Sequence, residues 1–306
     1  MSAAALPPSA RPLPSRPLPS RSLPMRLARR VVGIARRSPT LAIGAGIILA
    51  FALLAIFHGW AMPHDPVRAY PTEVLKPPSA RFWFGTDGNG MDVFSRVIYG
   101  TLYAFGIALP SVAIGLLLGV PIGLWTGYRG GMFDETTMRV IDALRVFPII
   151  ILALAIVAAT GQSLVNVIFV IGLIDAPIFV RVVRAEVLAL RSSNFVEAAR
   201  ALGNPTWRIL FVHLLPNALR GAIAQTSVRA AWAVRISATL AFLGVGIQQP
   251  TPEWGAMIRQ GAEFIVTGQW WVAMFPGCAL ILLVLGFNMF GDGAQDLLDP
   301  QRKTGK

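Results

Sequence analysis

The sequence predicts an all-α polytopic membrane protein with six transmembrane helices, and three observations carry that prediction. Of its 306 residues, 55% are hydrophobic and only 14% are charged, a balance outside the range of soluble domains. The apolar residues gather into runs long enough to cross a hydrocarbon layer about 30 Å thick, for which about 20 helical residues suffice. The basic residues, which give a net charge of +12, fall in a leading tail and in loops between those runs, where the positive-inside rule places cytoplasmic segments. That placement accounts for the charge by the lipid bilayer and argues against nucleic acid as a partner.

Residues 1–38 read as a disordered, basic, proline-rich cytoplasmic tail. Residues 1–24 repeat Arg-Pro-Leu-Pro-Ser with variations, and prolines, which lack an amide proton and fix φ, favour extended polyproline or disorder. The tail has no apolar core of a signal peptide. Arg26, Arg29, Arg30, Arg36 and Arg37 follow with no acidic residue among them. Twin arginines also open Tat signals, but the apolar run behind these is as long as a full span, so they hold the N-terminus inside.

The first transmembrane helix takes residues 39–62, with Ser38 as cap and Pro39 in the first turn, where a missing N–H costs nothing. His58, Trp60 and His64 mark its outer interface, the histidines as solvated anchors rather than metal ligands. Residues 63–96 form an extracytoplasmic segment in which Asp65, Glu73, Asp87 and Asp92 balance Arg68, Lys76, Arg81 and Arg96. Asp87, Asn89 and Asp92 lack the closing glutamate of an EF-hand, so this glycine-rich stretch reads as a capped turn and no metal site is expected.

Residues 97–292 read as a five-helix core. The second span covers about 99–128 and holds Pro110 and Pro121, which kink a helix and free carbonyls that neighbours must satisfy. Gly130 and Gly131 make a turn, and Arg139 and Asp142 stand i,i+3 apart, close enough to pair. The third span covers about 137–160, interrupted at Pro148, and the fourth about 164–188. Asp175 lies about 16 Å along that fourth helix from its outer end, near the midplane, where a carboxylate must be paired, protonated or wet. The fifth span, about 222–246, carries Arg229 and Arg235 about 10 and 20 Å from its cytoplasmic end, with Asp175 between them at about 14 Å. An arginine arm closes either gap. A pair between Asp175 and one of these arginines is therefore expected, either lining a translocation path or only fixing helix register. Gly244 and Gly246 permit close helix contacts, and Trp254, Trp270 and Trp271 suit an interface. The sixth span covers about 271–290, and residues 293–306 form a cytoplasmic tail. The lone Cys278 sits in an apolar run, which excludes an intrachain disulfide and a thiolate zinc site.

Residues 194–217, NFVEAARALGNPTWRILFVHLLPN, interrupt the apolar pattern between the fourth and fifth spans. Asn194 and Glu197 have capping-box spacing. Ala198, Ala199, Ala201 and Leu202 favour helix, Gly203 ends it in the left-handed conformation, Asn204 and Pro205 start a second helix, and Pro216 is expected to stop that one. The stretch resembles the EAA loop of the membrane permeases of bacterial ABC importers at Glu197, Ala198, Ala199, Gly203, Leu215 and Pro216, with His213 where the general pattern has Ile. FGTDGNGMDVFSRVIYG (84–100), TLAFLGVGIQQPTPEWGAMIRQG (239–261) and FGDGAQDLLDP (290–300) are similar to blocks of the dipeptide, oligopeptide and nickel branch. Met91 and Gln295 replace frequent arginines of that family, Ser237 replaces a frequent Glu, and Asp175 with Ala176 stands where an aromatic commonly precedes the proline.

The resemblance implies a type I ABC importer permease fold in the bacterial inner membrane, with both termini cytoplasmic. It implies three kinds of company: a second six-helix permease subunit, two ABC ATPase subunits that grip the EAA loops, and an extracytoplasmic substrate-binding protein. ATP and Mg2+ would sit on the ATPases, since this chain has no GxxxxGK[ST] motif. Dipeptides or oligopeptides are the implied cargo, with nickel chelates, glutathione and oligosaccharides left open. An enzyme is a poor reading, because the three histidines are scattered and no HExxH or GxSxG occurs. A stand-alone secondary carrier would use Asp175, Arg229 and Arg235 as coupling groups, but it would be expected to show inverted repeats, and none is visible.

Overall fold

The computed structural model describes residues 38–247 and 249–298; the expectations for the proline-rich tail and for the last residues fall outside them. Among the described residues the secondary structure is helical apart from one isolated bridge between Thr86 and Asp92. The principal helices are α1 (Pro39–Ile56), α2 (Val93–Arg129), α3 (Gly131–Val146), α4 (Ile149–Thr160), α5 (Leu164–Leu190), α6 (Asn194–Ala201), α7 (Leu215–Phe242), α8 (Trp254–Ile265) and α9 (Trp271–Leu298).

Helices stand at all six places where the sequence puts a span. Four of them, α1, α2, α5 and most of α9, are long and apolar enough to cross a membrane, and the pair α3 and α4 makes a fifth if it is taken as one broken span. That pair bends by 89°. The break falls at Phe147, whose ψ of 136° is extended, because the ring of the following Pro148 excludes the helical region for the residue before it. The 12 residues of α4 rise only about 18 Å, well short of a bilayer core. At 28 residues α7 is long enough, but Arg220, Gln225, Thr226, Arg229 and Arg235 make it less apolar than the others. Burial compensates: Ala218, Ala222, Ala230, Ala231, Ala233 and Val234 are buried where α7 packs on α2, α5, α8 and α9.

The most extensive helix packing among the described residues joins α2 to α5, and its cause is a run of glycines four residues apart. A Cβ added at Gly119 would stand 2.6 Å from Phe179 Cβ and 2.7 Å from the Ala176 carbonyl, one at Gly123 2.7 Å from the Val180 carbonyl, and one at Gly127 2.8 Å from Val187 Cβ. Positions four apart share one helix face, so Gly115, Gly119, Gly123 and Gly127 form a groove into which α5 sinks until backbone meets backbone. Ser111 Oγ adds a hydrogen bond of 3.0 Å to the Ile168 carbonyl across the same seam. A similar close approach holds α1 to α9, where Gly286 admits Ile47 and a Cβ at Gly44 would stand 2.4 Å from Phe290 N.

At the end of the bundle opposite α6, the segment before α2 folds over the start of that helix. Asp92 caps α2, accepting from Ser95 N at 3.1 Å and from Ser95 Oγ at 2.5 Å. Asp87 Oδ1 accepts from the amides of Asn89 and Met91, each at 2.9 Å, so the glycine-rich stretch is a capped turn. Two tryptophans read as interface anchors are instead structural: Trp254 and Trp271 are buried and donate through Nε1 to the carbonyls of Val97 at 3.0 Å and Thr86 at 3.2 Å. Their indole N–H groups found backbone partners that a headgroup layer would otherwise supply. Trp60 and Trp270 remain exposed.

Candidate functional site

The segment 194–217 begins with α6. Its cap is Ser193, whose side chain turns away to donate to the Leu190 carbonyl at 2.6 Å, so the capping box expected between Asn194 and Glu197 does not form; Asn194 already lies inside the helix and cannot offer cap geometry. The other end follows the sequence closely. Gly203 has φ +73°, its N–H reaches the Arg200 carbonyl at 2.9 Å, and Asn204 N reaches the Ala199 carbonyl at 3.1 Å. These two bonds are a Schellman motif, doubled by Asn204 Nδ2 on the same Ala199 carbonyl at 3.0 Å.

Pro216 does not stop a second helix. A short helix (Thr206–Arg208), a π-helical stretch (Ile209–Leu214) and α7 run on without a break, so Pro216 sits in the first turn of α7. The wide turn, in which Leu215 N bonds to the Leu210 carbonyl, takes up the proline ring that would clash with an α-helical carbonyl. Asn217 Nδ2 then satisfies the His213 carbonyl at 2.9 Å. The second half of the segment, from Thr206 on, is thus the start of the fifth long helix.

Val196, Ala199, Ile209, Leu210 and Leu214 face inward and join the common core, while Glu197 and Ala198 are exposed. Arg200 lies over the Tyr128 ring at 5.0 Å and donates to its hydroxyl at 3.3 Å, tying α6 to the end of α2. Outward the segment presents Phe195, Leu202, Trp207, Phe211 and Val212, with Leu202 82% exposed. These are large apolar groups exposed close together on a segment that also carries Glu197 and Arg200.

Of the three intramembrane charges, the structure brings two together. Asp175 on α5, 1% exposed, forms an ion pair with Arg229 of α7. The Arg229 guanidinium also lies 4.5 Å from the Trp232 ring centroid. Arg235 is exposed and makes no ion pair with any described residue; six residues along a helix is a rotation of about 240°, which points it away from α5. Beside the pair is a cavity of about 130 Å3 lined by Arg229, Trp232, Pro177 and Arg145 with aliphatic side chains. Arg139 and Asp142 do not pair. Asp142 bonds instead to Arg181 of α5, and Asp134 takes Arg184 in a two-point pair at 2.5 and 2.6 Å, the geometry a guanidinium favours. Those two pairs fasten α3 to α5.

One buried cluster escaped the sequence reading, which counted Arg96 only as a balancing charge. Arg96 is almost wholly buried; its Nε lies 3.4 Å from Asp87 Oδ2, and Nη1 donates to the carbonyls of Pro66 at 3.0 Å and Pro250 at 3.2 Å. It therefore pins the segment before α2 to the loop before α8. An arginine one turn inside an apolar helix, between Val93 and Val97, is the signal that points to it. His64 is no solvated anchor either: it bonds Asp92 at 3.2 Å and packs on Phe82. No group of three metal-ligating side chains comes together among the described residues.

The helix α8, too short to span, starts at Glu253, whose carboxylate accepts from Ala256 N at 2.8 Å. Burial pushes that carboxyl up to about 7, with the amides of Ala256 and Gly255 opposing. A carboxyl raised in the folded state adds stability below its unfolded value, near 4.5, and loses it as pH rises through about 7. The whole interval is worth on the order of 3 kcal/mol. The melting temperature of the purified protein is thus expected to fall, relative to that of Glu253→Gln, between pH 5 and 8; parallel curves would remove the effect.

The comparisons with known proteins agree with this architecture. Residues 119–304 match the family described as binding-protein-dependent transport system inner membrane component. The probable D,D-dipeptide transport system permease protein DdpC of Escherichia coli (strain K12) is 40% identical over 272 residues, which cover 89% of this chain and 91% of that protein. The dipeptide transport system permease protein DppC of Alkalihalophilus pseudofirmus is 40% identical over 88% of each chain. Among solved structures, an inward-facing form of the MetNI methionine ABC transporter superposes with a TM-score of 0.55 at 22% identity, covering 67% of this chain and 96% of that one, a likeness of fold. The chain belongs to the family of binding-protein-dependent transport system inner membrane components, and is a non-catalytic, multi-pass permease subunit of an ABC importer.

Proposed function

We propose that this chain forms half of the translocation path of an ATP-driven importer of short peptides. Six helices cross the inner membrane, with both termini and α6 on the cytoplasmic side, and a second permease subunit of the same kind completes the path. Two ATPase subunits bind ATP and Mg2+ and hold the 194–217 segments; a substrate-binding protein delivers cargo from the other side. The peptide reading is supported by relatives named as D,D-dipeptide and dipeptide permeases, matched over nearly their whole length.

The single observation that carries the docking role is the build of the 194–217 segment. Its inward face is anchored by Val196, Ala199 and Leu214, and its outward face offers Leu202, Trp207 and Phe211 beside Glu197. Glu197 and Gly203 are the key coupling residues: Glu197 supplies an exposed charge, and Gly203 holds the turn that points Leu202 outward. Ala198, Ala199, Leu215 and Pro216 shape the same surface. ATP binding draws the ATPases together, moves the two segments, and through them turns the path outward.

Reconstitution of the complete importer tests this. Glu197→Lys is expected to lower transport about tenfold, the size of one charged contact, and to loosen ATPase association while the helices remain inserted. A cysteine at Leu202 in the same vesicles is expected to react only from the ATPase side. Unchanged transport by Glu197→Lys, or labelling from the opposite side, defeats the reading.

A further inference from the structure

Two opposite charges on α8 have no ionic partner among the described residues. Arg259 and Glu263 are four residues apart, a spacing at which such side chains close on each other on a helix surface. Yet neither makes an ion pair or side-chain hydrogen bond with any described residue. Both line a cavity of about 280 Å3, together with the amide side chains of Gln162, Gln249 and Gln260. The cavity draws on three elements: the turn between α4 and α5, the glycine-rich end of α7, and α8. Its shape depends on Gly244, which has φ +83° and lies so close to the Arg259 guanidinium that a Cβ there would displace it. Gln260 Nε2 donates to Gln249 Oε1 at 3.3 Å.

The charge pattern selects the guest. A simple anion would satisfy Arg259 but face Glu263, and a simple cation would meet the reverse. A guest that carries a carboxylate and an ammonium satisfies both, and three primary amides suit its peptide group. The volume lies just under the usual small-ligand range of roughly 300–1,000 Å3, which fits a dipeptide or one end of a longer peptide. We propose that this cavity is a transient subsite for the zwitterionic end groups of the transported peptide, Arg259 taking the carboxylate and Glu263 the ammonium. The assignment rests on the peptide-import reading above.

The test uses the complete importer in proteoliposomes with Ala-Ala as probe. Arg259→Gln and Glu263→Gln, both conservative in size at exposed positions, are each expected to cut the maximal uptake rate about tenfold, the effect of one charge-assisted contact. Arg259→Lys should keep most of the rate. Stimulation of ATP hydrolysis by the peptide-loaded binding protein should stay at the native level in all three, which also shows that they are folded and assembled. Native uptake in both glutamine variants overturns the subsite and leaves the importer reading standing. Loss of binding-protein stimulation overturns it in favour of a protein-docking role for the two charges. If the native complex imports neither Ala-Ala nor Ala-Ala-Ala, the peptide reading fails, and the subsite with it.

Discussion

Gly119→Leu is expected to prevent the chain from reaching its folded state, whereas Gly106→Leu on the same helix leaves it intact. The contrast is geometric. At Gly119 the added Cβ meets Phe179 Cβ at 2.6 Å, the Ala176 carbonyl at 2.7 Å and Val180 N at 3.1 Å; at Gly106 nothing lies within 4 Å. Two of the three neighbours at Gly119 are backbone atoms that no rotamer change removes. Relief requires α2 and α5 to separate, which opens the most extensive helix interface among the described residues along its length. Overpacking commonly costs about 1–3 kcal/mol, and rigid backbone neighbours put this case at or above the upper end. Leucine gains about 1 kcal/mol of helix propensity over glycine, too little to compensate. The yield of monodisperse protein and its melting temperature in detergent check both halves: normal behaviour of Gly119→Leu, or collapse of Gly106→Leu, would contradict the account.

Asp175→Ala is expected to be the most damaging change of a single charge. It leaves the Arg229 guanidinium in the interior, still over Trp232 but without its carboxylate, and breaking a buried pair in this way costs about 3–5 kcal/mol. Replacing both partners by apolar groups of similar size, Asp175→Leu with Arg229→Met, should restore the melting temperature, because no uncompensated charge remains. Transport separates the two possible roles of the pair. We expect the apolar double variant to be stable but slow in uptake, and the swapped pair, Asp175→Arg with Arg229→Asp, to transport better than either single reversal. Full activity of the apolar double variant would reduce the pair to helix packing.

Several features were legible because they depend on local chemistry. The Schellman turn at Gly203 follows from a glycine after an alanine-rich helix, and the bend before Pro148 from the steric rule for the residue preceding proline. Asp175 declared itself by being a carboxylate near the midplane. Choosing Arg229 over Arg235 was harder, since axial rise alone puts Asp175 between them; helix rotation decides it, and that depends on where α5 lies. The features that failed were those in which a tertiary partner outcompetes a local one. Asp142 prefers Arg181 on another helix to Arg139 on its own, and Trp254 and Trp271 find carbonyls inside the fold rather than headgroups outside it. The four glycines of α2 stand four apart in the sequence, a period that escaped the sequence reading. Their meaning required knowing that Phe179, Val183 and Val187 stand opposite.

The unbroken passage from the π-helical stretch into α7 makes one rod of two parts that the sequence reads as separate. From Ile209 to Phe242 that rod is about 50 Å long by helical rise, with Arg229 about 30 Å from its exposed end. A lever of this length gears large displacements at one end to small angles along it: a tilt of about 10° about the Phe242 end sweeps Ile209 through about 9 Å and Arg229 through about 3 Å. The helix is unbroken between Ile209 and the arginine that holds Asp175. If the ATPases dock on this segment as proposed, their stroke acts on the Asp175–Arg229 pair as a shear, and the strength of that pair sets the force at which the two helices shift.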